Sequence, residues 1–244
     1  MNHAEVLSRH ERIALSFSGG KDSLACIYML RPWLDRITIY HSDSGDLLPE
    51  VREIVEHVRG FAPRFVHLQQ DVDGWIEQNG IPSDLVPYTA HEFAGIVGQK
   101  SRLVSRYECC TRNLMLPVWE RIAADGNTLC IRGTKRGDFP HLPVVNGEVR
   151  QGVEFYYPLQ DWTHEQVFDY LRGEGAPICR VYENGLQAPE CAACPAWLNV
   201  GQAAYLRKYH PDLLRKYRAR MAVVMAELDA PLQALNSELK ELSA

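Results

Sequence analysis

Short unbroken apolar runs alternate along this chain with longer stretches whose apolar residues recur at helical spacing. Arg12-Ile13-Ala14-Leu15-Ser16-Phe17 predicts a strand, Leu24-Ala25-Cys26-Ile27-Tyr28-Met29-Leu30 a helix, and Ile37-Thr38-Ile39-Tyr40-His41 a second strand. Residues 49–59 read as a helix with Pro49 in its first turn, Arg64-Phe65-Val66-His67-Leu68 as a third strand and residues 72–78 as a short helix. Residues 94–107 read as helix or loop, interrupted by Gly95 and Gly98. Residues 111–125 predict an amphipathic helix, with Leu114, Leu116, Val118, Trp119 and Ile122 apolar and Gly126 beyond its end; Thr128-Leu129-Cys130-Ile131 is a further strand. Thr163, with Gln166 three residues on, has the spacing of a capping box. Residues 201–208 and 212–228 read as helices punctuated by Pro211 and Pro231.

This alternation predicts an α/β fold: a mostly parallel, doubly wound sheet with helices on both faces and a C-terminal helical extension. The division expected is an α/β domain over residues 1–200 and an extension over 201–244. Ligands of such sheets sit beyond the carboxyl ends of the strands, where residues 18–23, 41–46 and 132–138 would converge.

The first of these segments carries the sharpest chemistry. Ser18-Gly19-Gly20-Lys21-Asp22-Ser23 stands between a strand and a helix, so backbone N–H groups and the positive end of a helix point at one spot. Gly19 and Gly20 permit turn conformations and close approach of a ligand, Lys21 adds a point charge, and Ser16, Ser18 and Ser23 add hydroxyls. A phosphate or pyrophosphate suits such a cradle. The longer glycine spacing of the Walker loop is absent. The string instead resembles the SGGxDS loop of the N-type ATP pyrophosphatases, the PP-loop enzymes. That resemblance implies an adenine nucleotide alpha hydrolase-like fold, ATP with Mg²⁺ as ligand, attack on the α-phosphate, and pyrophosphate as product.

Composition bounds the setting. The 244 residues are 46% hydrophobic, enough for a substantial core, and no apolar run reaches the roughly 18 residues that span a bilayer. A cytoplasmic location without membrane attachment is the expectation. A formal net charge of −5 argues against a dedicated nucleic-acid binder but leaves room for a local basic patch. Arg207, Lys208, Arg215, Lys216, Arg218 and Arg220 in the tail read as a solvated helical face, with a nucleic-acid contact surface as the sharper alternative.

Seven cysteines without a secretory apolar segment point to metal binding or thiol chemistry rather than a disulfide scaffold. Cys109-Cys110 and Cys191-Ala192-Ala193-Cys194, with residues 111–190 between them, supply four thiolates suited to an iron–sulfur cluster or to structural zinc; a redox dithiol at Cys191 and Cys194 is a third option. Cys26 and Cys130 read as small buried hydrophobes, and Cys179 as a free thiol near the surface.

A Cys-Cys pair, about eighty residues and then Cys-x-x-Cys is similar to the [4Fe-4S] signature of assimilatory adenylyl-sulfate reductases in the phosphoadenylyl-sulfate reductase family, itself built on the PP-loop fold. The resemblance makes Cys109, Cys110, Cys191 and Cys194 the cluster ligands and covers residues 12–200 approximately. It extends to His41-Ser42-Asp43-Ser44-Gly45-Asp46, where Asp43 would lie beside the nucleotide or its Mg²⁺, with an Asx turn as the plainer reading of Asp43 and Asp46. It includes Arg132-Gly133-Thr134-Lys135-Arg136-Gly137-Asp138, where Gly133 admits the ligand, Lys135 and Arg136 stabilise transferring charge, and Asp138 orients a cation. Arg112 would reach the cluster or the substrate anion. Tyr156-Tyr157-Pro158-Leu159-Gln160-Asp161-Trp162-Thr163 matches a family stretch that reads as core.

Two departures shape the functional expectation. The family's reductases carry a catalytic cysteine in a C-terminal Glu-Cys-Gly-Leu-His-type tail and an altered phosphate loop, whereas here no cysteine follows Cys194 and the loop is intact. The expected function is adenylation with pyrophosphate release in a sulfur-transfer reaction, of DNA phosphorothioation or tRNA thiolation type, assisted by the cluster. A cysteine desulfurase or thioredoxin-like protein would donate sulfur, and an oligomer is compatible. The alternatives are an adenylyl-sulfate or phosphoadenylyl-sulfate reductase using another thiol, Cys179 included, and a nucleotide- and cluster-binding regulatory module without turnover.

Overall fold

The computed structural model describes residues 2–85, 101–138, 144–187, 191–196, 198 and 201–242. Its main sheet contains β1 (Ile13–Ser16), β2 (Ile37–Asp43), β3 (Phe65–Gln69), β6 (Leu129–Ile131), β7 (Val149–Arg150) and β8 (Val153–Tyr156), in the order β3-β2-β1-β6-β8-β7. All pairings are parallel except β7 with β8. The strands β4 (Ile81–Ser83) and β5 (Leu103–Ser105) form a separate parallel pair. The sheet is covered on both faces, which is why β1 reads as an unbroken apolar run. Ile13 and Leu15 join one core with Leu24 and Ile27, while Ala14 joins the opposite core with Tyr40, Ile122 and Cys130.

The helices are α1 (His3–Ser8), α2 (Lys21–Met29), α3 (Pro49–Phe61), α4 (Val72–Asn79), α5 (Arg106–Cys110), α6 (Leu116–Ala124), α7 (His164–Gly173), α8 (Gln202–Tyr209) and α9 (Pro211–Leu242). Chain order runs outward from β1 through β2 to β3, then resumes on the other side of β1 at β6. The reversal between β1 and β6 is the crevice where open α/β sheets bind ligands.

Three elements differ from the sequence expectation. Helix begins at Arg106, not at residue 111, and passes into α6 through a π turn over Thr111–Met115. Pro117 has no N–H to offer the Asn113 carbonyl, which accepts instead from the Ser42 hydroxyl at 3.3 Å. Second, α9 continues through Pro231 to Leu242. The helix around Pro231 is solvent-exposed, so water can take the carbonyl that the proline leaves unpaired. Third, the tail's basic residues do not form one solvated face. Arg220 is buried and Lys216 half-buried, both in ion pairs, while Arg207, Lys208, Arg215 and Arg218 are exposed. Of the segment read as helix or loop over 94–107, residues 94–100 lie outside the described residues, and β5 and the start of α5 occupy 103–107.

The helical segment after residue 201 shares the core of the sheet domain. Tyr205, Leu206, Leu214 and Tyr217 pack in the same apolar cluster as β1 and α2, and Val224 and Leu228 pack on Leu103. The capping box forms as expected, with Thr163 Oγ1 accepting from Gln166 N–H and Gln166 Oε1 accepting from Thr163 N–H. Replacing Thr163 with Ala should cost about 1 kcal/mol. A urea titration should show a lower midpoint with an unchanged slope, and an unaltered midpoint would deny the cap its role.

Candidate functional site: a glycine-rich loop, a cleft and a four-cysteine cavity

Gly19 sits at φ +82°, and a Cβ there would stand 2.7 Å from the Val51 side chain on α3. A side chain is excluded on both counts, so the loop can turn tightly onto α2. Gly20 is the N-cap of α2 and supplies no side-chain cap, so the first amide of the helix must find its partner elsewhere. Ser18 and Ser23 hold the turn together: Ser23 Oγ donates to Gly20 O at 3.1 Å and accepts from Ser18 N–H at 3.3 Å. Tyr182 Oη accepts from Lys21 N–H at 3.2 Å, and the Lys21 ammonium lies 5.7 Å from its ring centroid.

The cations at this loop converge on one carboxylate. Lys21 Nζ donates to one Asp22 oxygen at 2.7 Å and Lys135 Nζ to the other at 2.7 Å. Lys135 is 1% exposed and pairs also with Asp138, which accepts from its backbone N–H at 2.8 Å. Gly133 lets the segment after β6 press on α2, since a Cβ there would stand 2.6 Å from the Asp22 carbonyl carbon. Arg136 is not part of this group: it is mostly exposed and pairs with Asp161. Asp43 is buried in an Asx turn, accepting from Gly45 N–H at 2.8 Å and facing His67 at 3.4 Å. Arg112 is exposed on the π turn.

A cleft of about 450 Å³ opens beside the loop. Ser16, Ser18 and Ser42 lie at its polar end, while Leu114, Met115, Trp119 and Phe155 form an apolar wall. Trp119 and Phe155 stack with centroids 5.6 Å apart. Arg132 and Arg150 also line it; the first begins the 132–138 motif but is given no role there, and the second lies outside every motif. Arg150 lies on the β7–β8 hairpin, whose tip residue Gln151 has φ +50° and accepts from the Trp119 indole N–H at 2.9 Å. Polar loop at one end and aromatic wall at the other suit an amphipathic ligand with a charged head.

All four cysteines of the Cys-Cys and Cys-x-x-Cys pairs line a second cavity, with Val72, Ile76, Asn113 and Arg220. None of the four is in a disulfide. Burial pushes the Cys109 thiol up to about 11 and the Cys191 thiol well above its ordinary value. Asn113 Nδ2 donates to the Cys109 carbonyl at 2.9 Å and lies 3.8 Å from its sulfur. Among the described residues, no three His, Cys, Asp or Glu side chains are gathered as a site for a single metal ion. Leu114 lines both the cavity and the cleft, so the π turn is the partition between them.

The sequence model of the phosphoadenosine phosphosulfate reductase domain matches residues 12–197. The chain belongs to the phosphoadenosine phosphosulfate reductase family. It is 21% identical over 200 residues to an adenosine 5'-phosphosulfate reductase of Allochromatium vinosum, covering 82% of this chain and 74% of that protein. To the Neisseria meningitidis protein of the same name it is 22% identical over 165 residues, covering 67% of this chain but only 61% of the relative. The crystal structure of a phosphoadenylyl-sulfate reductase from Candida auris, a phosphate complex, superposes with a TM-score of 0.50 at 15% identity, covering 72% of this chain and 79% of that one. That likeness shows the fold.

The family match encloses the loop, the cleft and all four cysteines, and ends before Lys216 and Arg220 of α9. Arg220 of α9 donates to the Ala193 carbonyl and to Asp46, each at 2.9 Å, and pairs with Asp73. Lys216, one turn earlier, pairs with the same two carboxylates. Asp46 in turn accepts from Ala193 N–H through its side chain at 3.4 Å and from Ala192 N–H through its carbonyl at 2.5 Å. The Cys191–Cys194 turn is thus fastened from both sides. The free thiol expected at Cys179 is instead buried, its thiol pushed up to about 11 by that burial.

Replacing Arg220 with Ala should destabilise the fold by about 2–3 kcal/mol, because Lys216 still pairs both carboxylates. In metal-free protein it should also speed alkylation of Cys191 and Cys194 relative to Cys109. Equal rates in the variant and the parent would show that the turn does not depend on Arg220.

Proposed function

We propose that this family member binds ATP and cleaves it between the α- and β-phosphates, adenylating a substrate oxygen in a sulfur-transfer reaction. In this reading Ser16, Ser18, Gly19, Gly20, Lys21 and Ser23 hold the phosphates, with Mg²⁺ offsetting their charge. Lys21 and Lys135 stabilise the charge that builds on the departing pyrophosphate. Asp22, now clamped by both ammonium groups, keeps the two cations aimed at one place until phosphates compete for them. The substrate oxygen forms a bond to the α-phosphorus, the α–β bridging bond breaks, and pyrophosphate carries away the electron pair. The aromatic and aliphatic wall of the cleft supports the base and sugar.

The observation that carries this reading is the state of the seven thiols beside an intact loop. Cys26, Cys130 and Cys179 are buried, and burial raises each thiol, those of Cys130 and Cys179 to about 11. The remaining four line one cavity. A reductase needs a reactive thiolate to attack the sulfur of a sulfonucleotide, and burial with a raised pKa makes Cys26, Cys130 and Cys179 poor candidates for it. Lys21 and Lys135, by contrast, meet at Asp22 beside the loop.

Cys109, Cys110, Cys191 and Cys194 would hold a [4Fe-4S] cluster. The fit is supported by four cysteines outside any disulfide that line one cavity, by the Asn113 amide near the Cys109 sulfur, and by Arg220, whose charge offsets thiolates. When bound, such a cluster supplies a redox-active, polarisable centre beyond the π turn from the cleft. A sulfur-donor protein and a nucleic-acid acceptor complete the proposed scheme, with the exposed Arg207, Lys208 and Arg218 available to meet phosphates.

The names of the relatives favour a second reading, a sulfonucleotide reductase that takes its thiol from a partner. The two readings part in one assay. Protein prepared without oxygen should catalyse exchange of labelled pyrophosphate into ATP, and Lys21→Ala should lower it at least about 100-fold while leaving the visible absorption of the metal centre unchanged. Release of sulfite from adenylyl sulfate with no pyrophosphate exchange would favour the reductase instead.

A further inference from the structure

Helix α9 carries an apolar stripe that packs on the rest of the molecule as far as Leu228 and is left uncovered beyond it. Met221, Met225, Leu228, Leu232, Leu235, Leu239 and Leu242 follow one another at alternating intervals of four and three residues. That is the a/d repeat of a two-stranded coiled coil, sustained for about three heptads. The first half of α9 is anchored by Leu214 and Tyr217 in the main core and by Val224 and Leu228 against Leu103. Beyond Leu228 every residue through Leu242 is exposed. Leu235 and Leu239 keep 54% and 51% of their surface, and Leu242 keeps 83%.

The charges around the stripe decide what can cover it. From Met225 to Leu242 the charged residues are Glu227, Asp229, Glu238, Lys240 and Glu241, an acidic balance that repels anionic lipid and nucleic acid alike. With Met225, Leu232 and Leu239 at a, the flanking e and g positions hold Asp229, Pro231, Asn236 and Glu238. A second copy laid parallel places Pro231 against Asn236. Laid antiparallel, it places Asp229 against Asn236 and Pro231 against Glu238. Neither arrangement sets one carboxylate against another, and a second copy supplies a heptad seam of matching length.

We propose that α9 pairs with α9 of a second copy of this chain through the Met225–Leu242 stripe, forming a homodimer. The pairing braces the helix that carries Arg220 and Lys216, and so the fastening of the Cys191–Cys194 turn.

The test is sedimentation velocity on the full chain across a dilution series, beside a Leu235→Asp, Leu239→Asp double variant. Both residues are exposed, so the variant should keep the urea midpoint that the parent shows once diluted to monomer. The parent should sediment as a dimer at tens of micromolar, and the variant as a monomer with its dissociation constant raised at least about 100-fold. A parent that stays monomeric, a dimer that the double variant does not weaken, or stripe-dependent flotation with phosphatidylserine vesicles would overturn the proposal.

Discussion

The site depends on one buried carboxylate. Asp46 is 3% exposed, and its oxygens are taken by Lys216 and Arg220 from α9 and by the Ala193 N–H. Its carbonyl takes the Ala192 N–H. Asp46 follows β2, the strand beside the one that ends at the glycine-rich loop, so a single residue ties the crevice side of the sheet to the cysteine turn and the final helix. Burying such charges costs several kcal/mol per ion before pairing repays it, so this network is weak evidence for net stability. Its effect here is positional. A turn of two alanines between Cys191 and Cys194 has no polar side chain with which to bond its own backbone, and the ions supply that constraint.

A second constraint of the same kind governs the loop. Lys135 and Lys21 would repel one another if left alone in a poorly hydrated corner, and Asp22 between them turns that repulsion into a bridge. Gly133 is what makes the bridge short enough, because any side chain there would collide with the first turn of α2. The π turn then places the cysteines and the cleft back to back, an arrangement often met where helices are bent for function. Pro117, Ser42 and Asn113 produce that bend together.

Much of this was legible in the residues. The strand–glycine–helix run at residues 12–30, the entry of α3 through Pro49, and the capping box at Thr163 each follow local rules, and each forms as expected. The burial of Cys26, Cys130, Tyr156 and Tyr157 followed from apolar context. What escaped reading depends on partners far away in sequence. Arg220 looks like any surface arginine until Asp46, 174 residues away, meets it. Cys179 stands after Gly173, Gly175 and Pro177, a turn that reads as exposed, yet the main core covers it. Arg136 has the motif position of a catalytic cation, but its nearest carboxylate is Asp161 on the surface. Pro231 reads as a helix stop because local propensity says so, and exposure to water lets the helix pass through it. The signal that marks its continuation is the leucine spacing on either side.

In the proposed function, the four cysteines beside the Asp46 network and the π turn would carry an iron–sulfur cluster near the glycine-rich loop. The direct measurement is metal and acid-labile sulfide analysis of protein purified without oxygen, paired with the same analysis of Cys194→Ser. The account predicts about four irons and four sulfides per chain in the parent and loss of both in the variant. About one zinc per chain without labile sulfide, or iron retained when Cys194 is replaced, would contradict it.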